Sequence, residues 1–198
     1  MQCLLVIDLQ NDFCPGGALE VPNGDMIVPR INALMGSYDM VVLTQDWHPS
    51  GHGSFASSHQ GSQPFSVVQM SYGEQILWTD HCIQGTRGAD FHADLNRDAA
   101  VAIIRKGMAT EIDSYSAFFE NDRVTATGLE GLLRARHCTT LTLVGLATDF
   151  CVAWSALDAA RLGFAVSVDL PSCRAIDLDG SLEVALEQMR DSGVVLNG

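Results

Sequence analysis

Cys151 has the surroundings that a protein nucleophile needs. It lies in the run Gly145-Leu146-Ala147-Thr148-Asp149-Phe150-Cys151-Val152, in which an apolar strand is predicted to pass through a turn into a helix. Backbone N–H groups of a first helical turn and the helix dipole favour negative charge, so we expect the pKa of this thiol to be lowered. The same N–H groups could hold an oxyanion beside the sulfur. This pattern indicates acyl transfer through a cysteine.

A nucleophilic thiol needs a base for its proton, and a departing amine needs an acid. Asp8 ends the first apolar run of the chain and is the predicted base, while Lys106 ends the third run and would stabilise both the thiolate and the aspartate. Either residue alone would more often be structural. His137 is an alternative base, as in papain-like proteases, but it precedes a predicted strand and should lie at the opposite edge of the sheet.

The segment Asp46-Trp47-His48 carries a second chemical pattern. In an extended backbone, residues two apart point to the same side, so Asp46 and His48 could bind one ion, with His81 as a third ligand. Two histidines and one carboxylate leave positions open for water or substrate, which is typical of catalytic metal sites. His52 could be a fourth ligand or a hydrogen-bond partner of a ligand, and its spacing allows both.

Three aromatic residues are placed near these groups along the chain, namely Phe13, Trp78 and Tyr115. Core packing is the default role of an aromatic side chain. Flat walls beside a metal would also suit a planar heteroaromatic ring. We therefore predict that these three residues bind the substrate.

Apolar runs and helical patterns alternate along the chain and predict the fold that positions these groups. The apolar runs are Cys3–Ile7, Met40–Thr44, Ala100–Ile104, Thr140–Val144, Phe164–Val168 and Gly193–Leu196. The helical patterns are Met26–Met35, Gly128–Ala135, Val152–Leu162 and Leu182–Arg190. Strands that are apolar throughout are buried on both faces. The alternation predicts a doubly wound (Rossmann-like), three-layer α/β/α fold with a mostly parallel sheet of about six strands, as a single domain over residues 1–198.

In such a sheet the ligand lies beyond the carboxyl ends of the strands. Asp8, Asp46, Lys106 and Cys151 all fall at predicted strand ends, so they should converge on one edge. The segment from Ser50 to Ala99 is too long for an ordinary connection and is predicted to be a lid that sets specificity.

Composition limits the classes of partner. The 198 residues carry a formal net charge of −13, which argues against nucleic acid and acidic membrane surfaces. No apolar run approaches the ~20 residues of a membrane span, and the N-terminus resembles a first strand rather than a signal peptide. Six dispersed cysteines indicate reduced thiols and a cytoplasmic location. We expect a monomer or a small homo-oligomer.

With these residues assembled, the chain resembles the nicotinamidase family, which also deamidates pyrazinamide, within the isochorismatase-like cysteine hydrolases. The matching segments occur in family order and extend over most of the chain: 8–13, 44–49, 52–56, 78–86, 105–107, 113–118 and 145–152. Thr79 stands where the family usually has proline, and Phe150 where it commonly has tyrosine. We expect these two positions to affect loop shape and fine specificity.

The resemblance implies that Cys151, Asp8 and Lys106 form a catalytic triad that converts nicotinamide to nicotinate through a thioester. It implies one divalent metal ion on Asp46, His48 and His81 that binds the pyridine nitrogen, with zinc expected first and iron or manganese as alternatives. It also implies a cis peptide bond at Leu146-Ala147, which would direct the N–H groups of Ala147 and Cys151 to the oxyanion.

Three other functions are compatible with parts of the pattern. A metal-free relative could act on isochorismate, a carbamoyl compound or a ureido acid, but the Asp46, His48 and His81 set disfavours it. A non-catalytic zinc-binding or scaffolding domain would explain the histidines without explaining Asp8, Lys106 and Cys151 at one edge. A thiol protease would need a cysteine–histidine pair that the strand ends do not provide.

Overall fold

The computed structural model describes all residues from 1 to 198. It contains eight strands: β1 (Gln2–Ile7), β2 (Met40–Asp46), β3 (Val67–Met70), β4 (Gly73–Ile76), β5 (Ala102–Lys106), β6 (Thr140–Leu146), β7 (Ala165–Arg174) and β8 (Val195–Asn197). It contains four α-helices: α1 (Val28–Met35), α2 (Leu129–Ala135), α3 (Ala153–Arg161) and α4 (Ser181–Asp191). No helix has the length and apolar character that a membrane crossing requires.

Six strands form one parallel sheet in the order β5-β2-β1-β6-β7-β8. Counted within this sheet alone, the order is 3-2-1-4-5-6, which is that of the doubly wound nucleotide-binding folds. The predicted fold class is therefore confirmed, and every predicted apolar run contributes a strand. The chain order reverses between β1 and β6, so the crevice for a ligand is expected where these two strands end.

The central strands β1, β2 and β6 are buried on both faces, which explains why they are apolar without alternation. Cys3, Leu5 and Ile7 of β1 point into the core under α2, α3 and α4, while Leu4 and Val6 point into the core that includes α1. Each face of β1 therefore buries aliphatic side chains, and each such side chain contributes about 1.5–3 kcal/mol when fully buried.

Local signals mark the start of helix α1 and the end of helix α3. Pro29 lies in the first turn of α1, where its fixed φ is compatible with a helix start. Gly163 follows α3 with a φ of +84° and donates its N–H to Ala160. This left-handed position ends the helix and returns the chain into β7.

The predicted lid contains regular structure that the sequence patterns did not reveal. Strands β3 and β4 pair as an antiparallel hairpin separate from the main sheet. Each of these strands has four residues and is only partly buried, so neither shows the apolar run by which the other strands were identified. The hairpin packs one side chain, Gln75, deep into the molecule.

Candidate active site

Cys151 lies in a wide helical turn, Thr148–Val152, between β6 and α3. Gly145 allows this turn to lie close to β1, because a Cβ at this position, with its φ of +120°, would lie 2.1 Å from the carbonyl oxygen of Ile7. Only glycine is compatible with this approach. The turn places Cys151 beside the end of β1, at the point where the strand order reverses.

The structure brings Asp8, Lys106 and Cys151 together. The Lys106 Nζ is 3.5 Å from the Cys151 Sγ and 2.9 Å from the Asp8 Oδ2. A carboxylate oxygen of Asp8 lies within 4.8 Å of the Cys151 Sγ. Asp8 and Lys106 are fully buried, and Cys151 is 7 % exposed. These distances suit proton transfer between the thiol and the carboxylate, with the ammonium group beside both.

The carboxyl group of Asp8 is held by its neighbours and has an altered acidity. Thr44 donates its hydroxyl to Asp8 Oδ1 at 2.6 Å, and the Asp8 N–H donates to the same hydroxyl oxygen at 3.1 Å. Burial raises the pKa of Asp8 to about 6, although the Lys106 charge opposes this shift. A carboxyl group with this pKa can accept and return a proton near neutral pH.

The prediction that the pKa of Cys151 would be lowered is wrong. Burial raises the pKa of this thiol well above its ordinary value, and the nearby Lys106 lowers it by less than burial raises it. The Asp8 and Asp46 carboxylates raise it further. Desolvation disfavours the thiolate more than one ammonium group favours it. The thiol of the free protein is therefore protonated, and a base must remove its proton when a substrate binds.

Asp46, His48 and His81 form a buried cluster with ligand atoms in mutual reach. The Nε2 atoms of His48 and His81 lie 3.7 and 3.9 Å from the Asp46 Oδ2. The Nδ1 of His48 is 2.9 Å from the Gly107 carbonyl oxygen, and that of His81 is 2.8 Å from the Thr79 carbonyl oxygen. Carbonyl partners require Nδ1–H, so each Nε2 keeps its lone pair for an ion.

This donor set fits one divalent cation. The three side chains are buried and all offer a ligand atom to the same space. Burial and the neighbouring His48 lower the pKa of His81 to about 4, so this imidazole is neutral at physiological pH, as a metal ligand must be. Two imidazoles and one carboxylate leave further positions of the ion open to water or substrate.

His52 lies against this cluster but is directed away from it. Its ring packs on that of His48 with centroids 4.4 Å apart. Its Nε2 is 2.9 and 3.2 Å from the carbonyl oxygens of Ala109 and Ile112, and its Nδ1 is 2.8 Å from the Ser54 hydroxyl. Because both ring nitrogens are engaged by the protein, the structure favours the role of a packing neighbour of His48 over that of a fourth ligand.

Asp46 also contacts the triad. Lys106 donates to the Asp46 Oδ1 and to the Ser114 carbonyl oxygen, the latter at 2.7 Å. Although burial opposes the shifts, the attraction between the two charges lowers the pKa of Asp46 and raises that of Lys106. Sequence reasoning assigned Asp46 to the metal cluster alone. The structure shows that its second oxygen belongs to the same charged network as Asp8.

The backbone of Asp46 is held by a residue that the sequence analysis did not single out. Gln10 is fully buried. It accepts the Asp46 N–H through Oε1 at 2.8 Å and donates from Nε2 to the Asp46 carbonyl oxygen at 2.8 Å. The signal available in the sequence was a glutamine two residues after Asp8, at the end of an apolar run. A polar side chain that directly follows a buried strand must find hydrogen-bond partners.

A small pocket opens above Cys151 and contains the three predicted aromatic residues. Its lining residues are Phe13, Leu19, Asp46, Trp78, His81, Asp113, Tyr115, Ala147, Phe150, Cys151 and Ile176. Leu19, Asp113, Phe150 and Ile176 had not been predicted as lining residues. Phe150 packs edge-on against Trp78, with ring centroids 5.0 Å apart. The pocket is thus an aromatic slot with the thiol and two of the three candidate metal ligands, Asp46 and His81, among its walls.

A buried polar network fixes two of these aromatic walls. The Tyr115 hydroxyl accepts from the Trp78 Nε1 at 3.1 Å and from the Gln75 Nε2 at 2.9 Å. Gln75 also donates to the Asp113 Oδ2 at 2.8 Å. Since Gln75 belongs to β4, the hairpin supports the pocket from outside the main sheet.

The expected oxyanion donors lie at the turn that holds Cys151. The peptide bond between Leu146 and Ala147 is cis, as the resemblance implied. The N–H of Ala147 donates to no acceptor in the protein, and Ala147 lines the pocket together with Cys151. A donor left free in this position can serve a ligand oxygen.

The chain belongs to the isochorismatase family, because the family model for the isochorismatase domain matches residues 2–197. Within this family it is similar to a nicotinamidase of Acinetobacter baylyi, with 52% identity over 96% of this chain and 89% of that protein. The predicted family resemblance is thereby confirmed.

Solved structures give the same result. The structure of an Acinetobacter baumanii nicotinamidase/pyrazinamidase is 54% identical, has a TM-score of 0.98 and matches 99% of this chain and 95% of its own. A Pyrococcus horikoshii pyrazinamidase in complex with zinc is 35% identical, has a TM-score of 0.79 and matches 98% of this chain and 97% of its own.

Proposed function

We propose that this protein hydrolyses nicotinamide to nicotinate and ammonia, with Cys151 as the nucleophile. The observation that carries this proposal is that Cys151, Asp8 and Lys106 meet at an aromatic pocket that also contains Asp46 and His81. The relative that is 52% identical is a nicotinamidase, which supports the choice of substrate. Pyrazinamide carries the same carboxamide on a similar planar ring and is a second expected substrate.

We further propose that Asp46, His48 and His81 hold one zinc ion, with iron or manganese as the alternatives. The pyrazinamidase of known structure in complex with zinc supports this choice, as does the donor set of two imidazoles and a carboxylate. A divalent ion bound there acts as a Lewis acid toward the ring nitrogen of the substrate and orients the ring.

Substrate binding positions the carboxamide over the thiol. Phe13 and Trp78 offer apolar walls for the flat ring, and Tyr115 holds Trp78 in place through a hydrogen bond. Confining the reacting groups in this way makes the attack effectively unimolecular.

The first half of the reaction forms a thioester. Asp8 removes the proton from Sγ, and the sulfur electron pair attacks the carbonyl carbon. The negative charge moves to the carbonyl oxygen, where the N–H groups of Ala147 and Cys151 are the proposed donors. The C–N bond then breaks, Asp8 returns the proton to the nitrogen, and ammonia leaves. Lys106 stabilises the negative charge on the sulfur and on Asp8 throughout.

The second half hydrolyses the thioester. Asp8, again ionised, removes one proton from a water molecule that attacks the acyl carbon. The C–S bond breaks and the electron pair returns to the sulfur, which recovers this proton from Asp8. The product leaves as the carboxylic acid and releases its remaining proton to the solvent, which gives nicotinate. Asp8 acts as a base and then as an acid in each half of the reaction. A carboxyl group whose pKa is about 6 can do both near neutral pH.

The direct test is to incubate the purified, zinc-loaded protein with nicotinamide and to measure ammonia and nicotinate. We expect equal amounts of both products and no turnover by Cys151→Ala, which removes only the sulfur. The Cys151→Ala protein should still bind zinc and nicotinamide, measured by elemental analysis and calorimetry. Turnover by Cys151→Ala at the original rate would refute the assignment of Cys151 as the nucleophile, and no hydrolysis by the unmodified protein would refute the function.

We also infer a cytoplasmic location, since all six cysteines are free thiols and reduced thiols are typical of that compartment.

A further inference from the structure

Asp149 lies two residues before Cys151, and the proposed reaction does not use it. Its side chain is buried, with the residue 5 % exposed. It accepts three hydrogen bonds from one distant segment: the Ile176 N–H at 3.1 Å, the Asp177 N–H at 2.7 Å and the Ser181 hydroxyl at 2.5 Å. A buried carboxylate with three donors forms strong, charge-assisted hydrogen bonds.

The segment that Asp149 holds has an unusual backbone. Asp177, Asp179 and Gly180 all have positive φ angles, of 56°, 50° and 85°. Non-glycine residues adopt this region at an energetic cost and keep it only where the surroundings enforce it. The segment runs between β7 and α4 and belongs to neither the sheet nor a long helix. The three hydrogen bonds to Asp149 therefore determine its position.

This segment carries one wall of the pocket. Ile176 lines the pocket together with Ala147, Phe150 and Cys151 of the turn that holds the thiol. The backbone N–H of Ile176 is one of the three donors to Asp149. One carboxylate thus connects the turn that holds the sulfur to a second segment that lines the same pocket.

We propose that Asp149 is a positioning residue that sets the width of the substrate slot, and that Ile176 is the specificity-determining side chain that it positions. The slot so defined selects unsubstituted six-membered heteroaromatic carboxamides over ring-substituted ones. This inference rests on the proposed nicotinamide hydrolysis. It adds that discrimination against ring substituents depends on a residue that does not touch the substrate.

The chemistry of an Asp149→Asn substitution makes the proposal testable. Asparagine has nearly the same shape, but its N–H₂ group stands where the carboxylate has one of its two acceptor oxygens. This group donates hydrogen bonds and cannot accept them from the backbone N–H groups. Either the Ile176 bond, or those of Asp177 and Ser181, must then be lost. Ser181→Ala removes a single hydrogen bond and leaves both backbone bonds, so its effect should be smaller and in the same direction.

The experiment compares kcat and KM for nicotinamide and 5-methylnicotinamide in the zinc-loaded protein. For Asp149→Asn we expect the KM for nicotinamide to rise about tenfold, as for loss of one hydrogen bond to a charged group, with kcat changed much less. The preference for nicotinamide over the methylated amide should fall. Ile176→Ala should reproduce this change, and the double variant should show less than the sum of the two effects, because both act through one wall.

Asp169→Asn is the matched control. Asp169 also accepts three hydrogen bonds, two from Arg30 and one from Ser172, but it does not line the pocket. We expect this variant to lose stability without a change in KM or in substrate preference. A thermal unfolding scan of every variant separates lost folding from altered binding.

The outcomes separate the two proposals. If the unmodified protein hydrolyses nicotinamide while Asp149→Asn keeps both its KM and its preference, the positioning role is refuted and the function stands. An Asp149→Asn protein with a reduced kcat and an unchanged KM would also refute the positioning role. If Asp149→Asn does not fold, Ser181→Ala and Ile176→Ala decide the question in the same assays. If the unmodified protein shows no hydrolysis, the proposed function fails, and calorimetric affinities of the two amides for each variant test the positioning role.

Discussion

Lys106 and Asp46 form a buried ion pair that joins the candidate metal cluster to the nucleophile. The Lys106 ammonium donates to one oxygen of Asp46, while the other oxygen of Asp46 faces His48 and His81. The same ammonium lies 3.5 Å from the Cys151 Sγ. Changes at the cluster should therefore reach the sulfur through a single side chain.

Lys106→Gln should remove activity and also destabilise the protein. Without the ammonium, the buried carboxylates of Asp8 and Asp46 both lose an ion-pair partner. Breaking a buried ion pair by removing one partner costs about 3–5 kcal/mol. Urea unfolding at pH 7 measures this loss, and Glu130→Gln, which breaks an exposed pair with Arg134, is the control with a cost of about 0–1 kcal/mol. Stability equal to that of the unmodified protein would contradict the central position of Lys106.

His81→Asn and His52→Asn should differ in metal content. The Nε2 of His81 faces Asp46, whereas both ring nitrogens of His52 are bound by protein atoms. We expect His81→Asn to bind metal at least about tenfold more weakly, since even supporting residues of metal sites contribute 10–100-fold. His52→Asn should retain one ion per chain. Elemental analysis after gel filtration measures both, and loss of the ion from His52→Asn alone would reverse the assignment.

Removal of the metal by a chelator should abolish hydrolysis without destroying the nucleophile. The Cys151 Sγ is held beside Lys106 rather than by the histidines, so it remains in the pocket. Because the thiolate is the form that reacts, Asp8 must take the thiol proton in this reaction as well. We expect iodoacetamide to alkylate Cys151 in the stripped protein, as shown by peptide mass mapping, and zinc to restore turnover of unalkylated samples. Full hydrolysis by stripped protein would mean that the ion has no part in the reaction.

Glu120 should make the stability depend on pH. This side chain is buried, its Oε2 has no hydrogen-bond partner, and burial raises its pKa from 4.5 to about 7. Between these two values the folded protein retains a proton that the unfolded chain releases. The contribution of this bound proton to the free energy of unfolding is thus fully present below pH 4.5 and is lost as the pH rises through about 7.

Glu120→Gln removes this titration. The unmodified protein loses stability at this position as the pH rises from about 4.5 to 7, and the variant does not. The free energy of unfolding of the variant should therefore rise relative to that of the unmodified protein over this range. Urea unfolding across this range measures the difference. A difference that stays constant with pH would show that Glu120 does not titrate in this window.

Much of the site follows from the chain because parallel strands share one edge. Asp8 and Lys106 end strands, and Cys151 follows one, so a correct sheet is sufficient to bring them together. The order of the strands, which places β1 beside β6, completes this convergence. The hairpin escaped prediction because its short, half-buried strands have no apolar run, although its Gln75 supports Tyr115.

The amino-acid sequence by itself determined the strands, the edge at which chemistry occurs and the types of side chain that meet there. These features depend on hydrophobic periodicity and on strand direction, which are local properties. Only the tertiary structure decided that the pKa of Cys151 is raised, that Lys106 contacts Asp46, that His52 faces away from the cluster and that Asp149 holds the segment with Ile176. Desolvation and hydrogen-bond direction depend on atoms from distant parts of the chain, and no local pattern records which of them will pack together.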